Sequence, residues 1–287
     1  KLYDLLQVRG RNTSLIGNTY PTENIGVYRY TGLEFSGGIS HNIGDLKLNA
    51  GLNVSALKNR VEYIDEVNQP YPWMRRTGNR IGQSFGYIAD GFFQNQQDIE
   101  SSAKVDGYTP IPGDIKYKDL NGDGIINIFD ETALGTSKPE IYMGATFAVS
   151  YKGFEVSVLL GGVRNRNILL SGLGQYEFQT FGGGFGQAYE QHLNRWTSET
   201  AATATYPRLT VGANPNNQIA SSFWMRSGDY FRLRNAEIAY TLTTKFLTNA
   251  RISGVRFFVN GFNLLTNSKL KGFDPEVLSG YPNNRTN

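Results

Sequence analysis

The chain has 287 residues, a net charge of +3 at pH 7, no cysteine, 33 glycines and 34 phenylalanine and tyrosine residues (17 of each). The small charge gives no indication of nucleic-acid binding, and the lack of cysteine excludes a disulfide scaffold and a thiolate metal site. No apolar run reaches about 18 residues, which excludes a transmembrane helix but leaves a transmembrane β-barrel open, because barrel strands are half polar.

The first residues, Lys1–Val8, already follow a strand-like pattern, with no initiator methionine or signal peptide before them. The chain ends in a polar stretch at 281–287 that supplies no closing strand. We therefore expect a piece of a larger protein.

A first pair of long strands is predicted at 25–40 and 44–58, joined by a short turn. Every second residue is apolar and its neighbours are small or polar, which is the pattern of a strand with one apolar face. Each alternating run has about 9–11 residues, the length with which a tilted strand crosses a bilayer. The apolar rows contain Leu33, Phe35, Ile39, Leu46, Leu48, Leu52 and Val54.

A long connection at 59–139 follows these strands. It contains a strand-like piece, Ile81–Phe93, and an aromatic stretch, Gln69–Arg76. Because a short turn at Lys152 and Gly153 fixes the direction of the next strands, the connection must leave and re-enter the sheet at the same end. We predict an extracellular excursion with local structure. Its aromatic stretch is compatible with substrate contact, with contact to a lid protein, and with ordinary loop packing.

Within this excursion, residues 119–130 have the spacing of an EF-hand-type Ca²⁺ loop. Oxygen-bearing side chains occupy loop positions 1, 3, 5, 9 and 12, with glycine at position 6. Position 12 is an aspartate, shorter than the usual glutamate. We expect Ca²⁺ bound as a structural cofactor, and a metal-free Asn/Asp/Gly turn is the alternative. The predicted ligands are Asp119, Asn121, Asp123, the carbonyl of Ile125, Asn127 and Asp130.

Four more sheet strands are predicted after the excursion, with a second long connection at 166–220. A slip in the alternation between Leu233 and Ala236 indicates a β-bulge. Arg232 and Arg234 have the parity opposite to the apolar residues beside them, so we expect them to face the interior passage. The predicted strands are 140–151, 154–165, 222–242 and 254–264.

Aromatic residues flank the apolar rows of these strands. They are expected to form an interfacial girdle, and sugar stacking is the alternative. The second connection contains a further aromatic stretch, Tyr176–Trp196, and a glycine-rich tip, Gly182–Gly186. The flanking aromatic residues are Tyr28, Tyr30, Tyr142, Tyr151, Phe154, Tyr240 and Phe257.

Short turns at one end of the strands and long connections at the other are typical of outer-membrane barrels. A secreted, Ca²⁺-stabilised β-sandwich that binds glycans is the alternative, although connections this long are unusual in compact domains. No carboxylate pair, Ser-His-Asp set or zinc pattern occurs, and His41 and His192 stand alone, so we do not expect an enzyme.

Five sequence motifs, in order along 80–277, resemble those of the SusC/RagA-type TonB-dependent outer-membrane transporters. The ordered set is specific, although each motif is weak by itself. The motifs are Gly82–Gln94, Pro112–Tyr117, Tyr230–Asn235, Gly261–Thr266 and Lys271–Val277.

The resemblance implies an all-β fold, the C-terminal part of a large antiparallel transmembrane β-barrel of about 22 strands with long extracellular loops. Residues 1–287 would form one portion of that barrel domain, without the plug domain and the closing strand. The family lies in the bacterial outer membrane, contacts its lipid, and imports oligosaccharides or peptides. It depends on the TonB complex, which contacts the missing N-terminal part, and on a SusD-like surface lipoprotein that acts as a lid.

Overall fold

The computed structural model describes residues 1–10, 21–172, 175–181, 184–270 and 274–276. Strands dominate this part of the chain. In order, they are β1 (Leu2–Gln7), β2 (Glu23–Ile43), β3 (Leu46–Tyr63), β4 (Gln83–Gly86), β5 (Ala89–Phe92), β6 (Lys104–Val105), β7 (Ile115–Tyr117), β8 (Ile125–Ile126), β9 (Thr132–Thr136), β10 (Ile141–Tyr151), β11 (Phe154–Arg164), β12 (Asn167–Leu169), β13 (Thr180–Phe181), β14 (Gly184–Phe185), β15 (Met225–Ser227), β16 (Tyr230–Leu242) and β17 (Val255–Ser268).

The helices of the described residues are short. None of them has the length and apolarity that crossing a membrane requires. They are α1 (Gln96–Ser101), α2 (Lys245–Asn249) and four 3₁₀ turns at Pro72–Met74, Ile128–Asp130, Glu190–Asn194 and Ser222–Trp224.

One antiparallel sheet of seven strands organises the molecule, in the order β1-β2-β3-β10-β11-β16-β17. Each strand pairs with the sheet strand before it in the chain, so the sheet is a meander. Two short turns close its tightest hairpins, and positive φ angles at Gly44 (59°), Lys152 (46°) and Gly153 (90°) provide the reversals. The predicted all-β fold with alternating short and long connections is therefore confirmed.

Strand boundaries differ from the prediction in three places. β2 and β3 extend to 21 and 18 residues, and β17 continues to Ser268 instead of ending at 264. The predicted strand at 222–242 is wrong in its first part, because Ser222–Trp224 is a 3₁₀ turn and β15 pairs with β12 outside the main sheet. The reason is Trp224, whose ring is buried and whose indole N–H donates to the Asn217 carbonyl oxygen (2.7 Å).

The main sheet has one apolar and one polar face. The register places Phe35 opposite Val54, and Val54 opposite Met143, so the predicted apolar rows join across the strands. This apolar face is uncovered, with Leu33 82% and Val259 77% exposed. Every other sheet among the described residues has only two strands, so nothing there resembles the second layer of a sandwich. The β-sandwich alternative is therefore wrong.

The predicted slip in β16 is confirmed as a local irregularity of the sheet. The register with β11 shifts where Leu159 and Leu160 face Asn235 and Leu233, which leaves Arg234 as an extra residue. A second shift occurs against β17, next to Asn263 with a φ of 52°. The bulge explains why the apolar residues of β16 change parity while the apolar face stays continuous.

The two long connections, 64–140 and 165–229, pack together into what we call the connection unit. Tyr87 bridges to Ser221, and the Ile115 N–H donates to the Asn217 side-chain oxygen (2.9 Å). The main hydrophobic core of the described residues therefore lies beside the sheet and is shared by both connections. Its buried members are Ile115, Tyr117, Ile126, Tyr176, Tyr206 and Trp224.

Candidate functional site

The predicted Ca²⁺ loop is held closed by its own backbone. The Asp119 carboxylate accepts hydrogen bonds from the N–H groups of Gly122 (2.6 Å) and Gly124 (2.7 Å). Both glycines have positive φ angles, 78° and 83°, which a side chain would strain. The Asp130 carboxylate accepts from Leu120 (2.7 Å) and is fully buried. Position 12 therefore reaches back to position 2 and ties the two ends of the loop together.

The remaining predicted ligands also bond within the loop. The Asp123 carboxylate accepts from the Ile125 N–H (2.9 Å) and from the Asn121 amide (2.8 Å). The Asn127 side-chain oxygen accepts from the Phe129 N–H (2.8 Å) and caps the 3₁₀ turn at Ile128–Asp130. Among the described residues, no three His, Asp or Glu side chains come together as metal ligands would. The loop is thus ordered by hydrogen bonds.

The chemistry of this donor set fits a hard cation. All six predicted donors are oxygens, and carboxylate, amide and carbonyl oxygens are the ligands that Ca²⁺ prefers. A hydrogen bond from the backbone occupies only part of the acceptor capacity of a carboxylate. Asp123 and Ile125 are exposed, Asp119, Asn121 and Asn127 are half-buried, and Asp130 is buried. The loop therefore leaves five of its six donor residues partly or fully accessible to solvent on a hydrogen-bonded frame.

The frame is anchored in the connection unit. Ile126, inside the loop, is buried in the shared core, and β8 pairs with β6 in parallel. The negative charges at the end of the loop also act on Tyr87. Burial, followed by the charges of Glu131 and Asp130, raises the pKa of Tyr87 to about 12.

An aromatic trio connects the loop to the predicted aromatic stretch. Tyr71 and Trp73 stack with ring centroids 4.7 Å apart, and Tyr71 meets the edge of Phe129 at 6.1 Å. The Trp73 indole N–H donates to the Phe129 carbonyl oxygen (2.8 Å). The stretch Gln69–Arg76 is therefore tied to the C-terminal end of the loop across 56 residues of sequence.

A buried carboxylate that the sequence reasoning missed joins the two connections. Asp114 is fully buried. It forms an ion pair with Arg208 (2.6 Å to Nε), and its oxygens accept hydrogen bonds from Asn217 Nδ2 (3.0 Å) and the Tyr108 hydroxyl (2.9 Å). Burial is the first cause that raises the pKa of Tyr108, and the Asp114 charge is the second. The only sequence signal was Asp114 within the motif Pro112–Tyr117.

The polar face carries both predicted arginines. Arg232 pairs with Gly161 of the polar face, and Arg234 passes over the same glycine at the bulge, where an added Cβ would lie 2.4 Å from the Arg234 Nε. Their predicted orientation, away from the apolar row, is confirmed.

The flanking aromatic residues divide between the two faces. Tyr151, Phe154, Tyr240 and Phe257 are neighbours across four strands on the apolar face, next to the short turns. The Phe154 and Tyr240 rings lie 4.4 Å apart. This row agrees with the predicted girdle. The girdle interpretation is wrong for the other three, because the register puts them on the polar face: Tyr28, Tyr30 and Tyr142.

Parts of two predicted features lie outside the described residues. They are Gly182 and Gly183 of the glycine-rich tip, and residues 271–273 and 277 of the last motif.

No protein-family model matches this chain. Three curated relatives match about nine tenths of it. They are two proteins of Formosa agariphila, TonB-dependent receptor P3 (29% identical, 92% of this chain) and TonB-dependent receptor P26 (26% identical, 88% of this chain), and TonB-dependent receptor SusC of Bacteroides thetaiotaomicron (23% identical, 92% of this chain). The chain spans about a quarter of the length of each relative, 26%, 26% and 25%.

Solved structures show the same fold. The RagAB peptide importer in its open-open state superposes with a TM-score of 0.70 at 18% identity, and the RagAB peptide transporter with a TM-score of 0.69 at 18% identity. Each match covers 95% of this chain and 29% of the matched chain. These relatives are receptors and importers by name. By sequence and by fold, this chain is a relative of the SusC/RagA-type TonB-dependent receptors and corresponds to part of their β-barrel.

Proposed function

We propose that this chain forms part of the wall and the extracellular loops of an importer in the bacterial outer membrane. The observation that carries the proposal is the uncovered apolar face of the seven-stranded meander. Burying that face in lipid would remove a continuous row of large apolar side chains from water. The polar face, with its asparagine, serine and threonine residues, would then line the interior.

The cargo we propose is an oligosaccharide or a peptide too large for a simple pore. Uptake would depend on TonB through a part of the protein that precedes this chain in its relatives' architecture. A SusD-like surface lipoprotein would cover the end of the barrel where the connection unit lies. The aromatic trio of Tyr71, Trp73 and Phe129 offers a partly exposed aromatic surface for that lipoprotein or for the cargo.

We also propose that the 119–130 loop binds Ca²⁺ as a structural cofactor. The spacing of six oxygen donors supports the proposal, and so does the hydrogen-bonded frame that holds four of their side chains in place. When bound, the cation would offset the repulsion among three carboxylates and stabilise the order of the excursion. Extracellular modules bind Ca²⁺ with dissociation constants of about 10⁻⁴–10⁻³ M, which is sufficient outside the cell.

The test of the import proposal is a deletion strain grown on single nutrients. We expect the strain to lose growth on one class, either oligosaccharides or peptides, and to regain it with the wild-type gene. Membrane fractionation should place the protein in the outer membrane, together with the co-purifying lipoprotein. Normal growth on every nutrient of both classes, or a protein that stays in the soluble fraction, would contradict the proposal.

A further inference from the structure

The segment Asp274–Glu276 belongs to no strand, yet it is firmly held against the polar face of the sheet. Arg232 binds it with two nitrogens, Nη2 to the Asp274 carboxylate (2.7 Å) and Nη1 to the Glu276 carboxylate (2.9 Å). The third nitrogen, Nε, donates to the Thr266 hydroxyl of β17 (2.9 Å). With every nitrogen bonded and only 1% of the side chain exposed, Arg232 is built into a site.

Three further side chains donate hydrogen bonds to the same segment. Arg234 Nη2 (2.5 Å) and the Tyr230 hydroxyl (2.8 Å) both donate to one oxygen of Glu276. Arg166, from the connection unit, donates to the carbonyl oxygen of Pro275. Together the site contacts two carboxylates and the peptide group between them. We call Arg166, Arg232 and Arg234 the arginine cage.

The arginine cage requires an anionic partner, which apolar packing would not. A buried guanidinium without an anionic partner is strongly destabilised, and charge-assisted hydrogen bonds to carboxylates are about twice as strong as neutral ones. Arg232 sits on β16 and bonds to β17, so the sheet itself positions it. The occupant is a short stretch of chain after the last strand. The sheet therefore holds the arginine side of the contact in place, and the other side is a short peptide segment.

We propose that the arginine cage is a binding site for acidic peptides with two carboxylates in an Asp-x-Glu spacing, occupied in this structure by the chain's own Asp274–Glu276. The ligand class follows from the contacts, because two guanidinium groups bind the two carboxylates and a third donates to the backbone carbonyl oxygen. A neutral sugar offers neither carboxylate. The inference concerns the polar face alone and depends neither on the Ca²⁺ proposal nor on the import proposal.

A tethered segment competes strongly with a free peptide. Short tethers give effective concentrations of about 1 mM or more, so an added peptide gains access only when the chain's own segment is weakened. The double variant Asp274→Asn, Glu276→Gln keeps the size of both side chains and removes their charges. It leaves Arg232, Arg234 and Tyr230 in place to receive a peptide from solution.

The experiment measures fluorescence anisotropy of labelled Phe-Asp-Pro-Glu-Val with the full-length protein purified in detergent. We expect the double variant to bind this peptide at least about tenfold more tightly than the wild type, in line with the competition from a tether. A matched peptide with Asn and Gln in place of Asp and Glu should not bind. Adding Arg234→Gln to the double variant should weaken binding, and this arginine is 40% exposed, so the sheet tolerates the change.

Two results would overturn the proposal. One is equal binding of the acidic and the amide peptide, and the other is the absence of peptide binding to a folded double variant. If the double variant does not fold, the single variant Glu276→Gln retains the pair between Arg232 and Asp274 and undergoes the same measurement. Failure of that variant to bind the acidic peptide more tightly than the wild type would equally overturn the proposal.

Discussion

Among single residues, the aspartates of the 119–130 loop carry the charge on which the proposed Ca²⁺ site depends. Replacing Asp119 and Asp123 by alanine removes two carboxylates and the hydrogen bonds to Gly122, Gly124 and Ile125. We expect Ca²⁺ binding to be lost in calorimetry, while the sheet stays folded. Tryptic cleavage after Arg75 should become fast and independent of chelator, because Trp73 ties that stretch to the loop.

The control for this variant is Asp90→Ala. Within the described part of the chain, Asp90 forms a long, exposed ion pair with Lys118 (3.9 Å, both side chains 52% exposed), which contributes little to stability. The control should retain Ca²⁺ binding and protection from trypsin. Wild-type protein that binds no Ca²⁺, or whose cleavage is the same with and without chelator, would count against the structural cation.

His192 should make the connection unit sensitive to acid. It is buried, its Nδ1 accepts from the Tyr189 N–H (2.9 Å), and its Nε2 faces the Gln175 carbonyl oxygen (3.2 Å). Burial lowers the pKa of His192, although the Gln175 carbonyl and the Glu177 charge oppose the shift. The unfolded chain therefore takes up a proton first. Stability should fall as pH drops below about 6.5, the ordinary histidine pKa, and continue to fall down to the lower folded value.

The measurement is urea unfolding followed by tryptophan fluorescence at pH 7 and pH 5. His192 can contribute at most about 1.4 kcal/mol per pH unit to the change in the free energy of unfolding, which is the limit for one proton. In His192→Gln the difference between the two pH values should shrink. The groups packed around the ring are Tyr189, Gln191, Gln175, Tyr206 and Glu177. An equal pH dependence in the variant would assign it to other groups.

Sequence spacing predicts the six loop residues as a ligand set, and the structure places them in one hydrogen-bonded loop, but their hydrogen bonds could not be predicted from the spacing. A carboxylate oxygen at loop position 1 or 12 can bind a cation or accept a hydrogen bond from a backbone N–H, and both uses favour the same residue type. The importance of Asp114 was hidden for a related reason. A Pro-Gly-Asp sequence is typical of turns, and only the tertiary structure brings Arg208 and Asn217, about 100 residues later, to this carboxylate.

At the scale of elements, the bulge in β16 sets a steric requirement on β11. A Cβ at Gly161 would lie 2.4 Å from the Arg234 Nε, whereas a Cβ at its cross-strand partner Gly144 would meet nothing closer than the Leu160 carbonyl oxygen at 3.8 Å. We expect Gly161→Ala to destabilise the sheet by up to about 1 kcal/mol, because the partly exposed Arg234 side chain must shift and its bonds to Tyr230 and Glu276 are disturbed. Gly144→Ala is the matched control and should be close to neutral.

Denaturant unfolding in detergent compares these two variants. Equal stabilities would show that Arg234 moves aside without cost, and that the bulge does not depend on a glycine opposite it. The same comparison bears on the arginine cage, since Arg234 is one of its members.

The sheet strands could be predicted from sequence because one face is apolar, and a period of two marks such strands directly. The connection unit could not, because its strands have two to five residues and several of them pair with strands far along the same connection. The error at 222–229 has the same origin. The apolar residues Phe223 and Trp224 resemble a strand start in sequence, but they pack into a core that no local pattern describes.

In the whole molecule, we propose that the apolar face of the meander contacts lipid while the polar face lines a passage. The chain has no cysteine, so each introduced cysteine is the only one within it. Spin labels at Leu33, Phe35 and Ile39 report one face of β2, and labels at Glu34 and Ser36 report the other.

Electron paramagnetic resonance of the protein in lipid bilayers compares the accessibility of each label to oxygen, which dissolves in lipid, with its accessibility to a water-soluble nickel complex. We expect a strict alternation, with labels at 33, 35 and 39 accessible to oxygen and labels at 34 and 36 accessible to nickel or shielded from both. Labels at 33, 35 and 39 that are shielded from oxygen, or a pattern with no period of two, would contradict it.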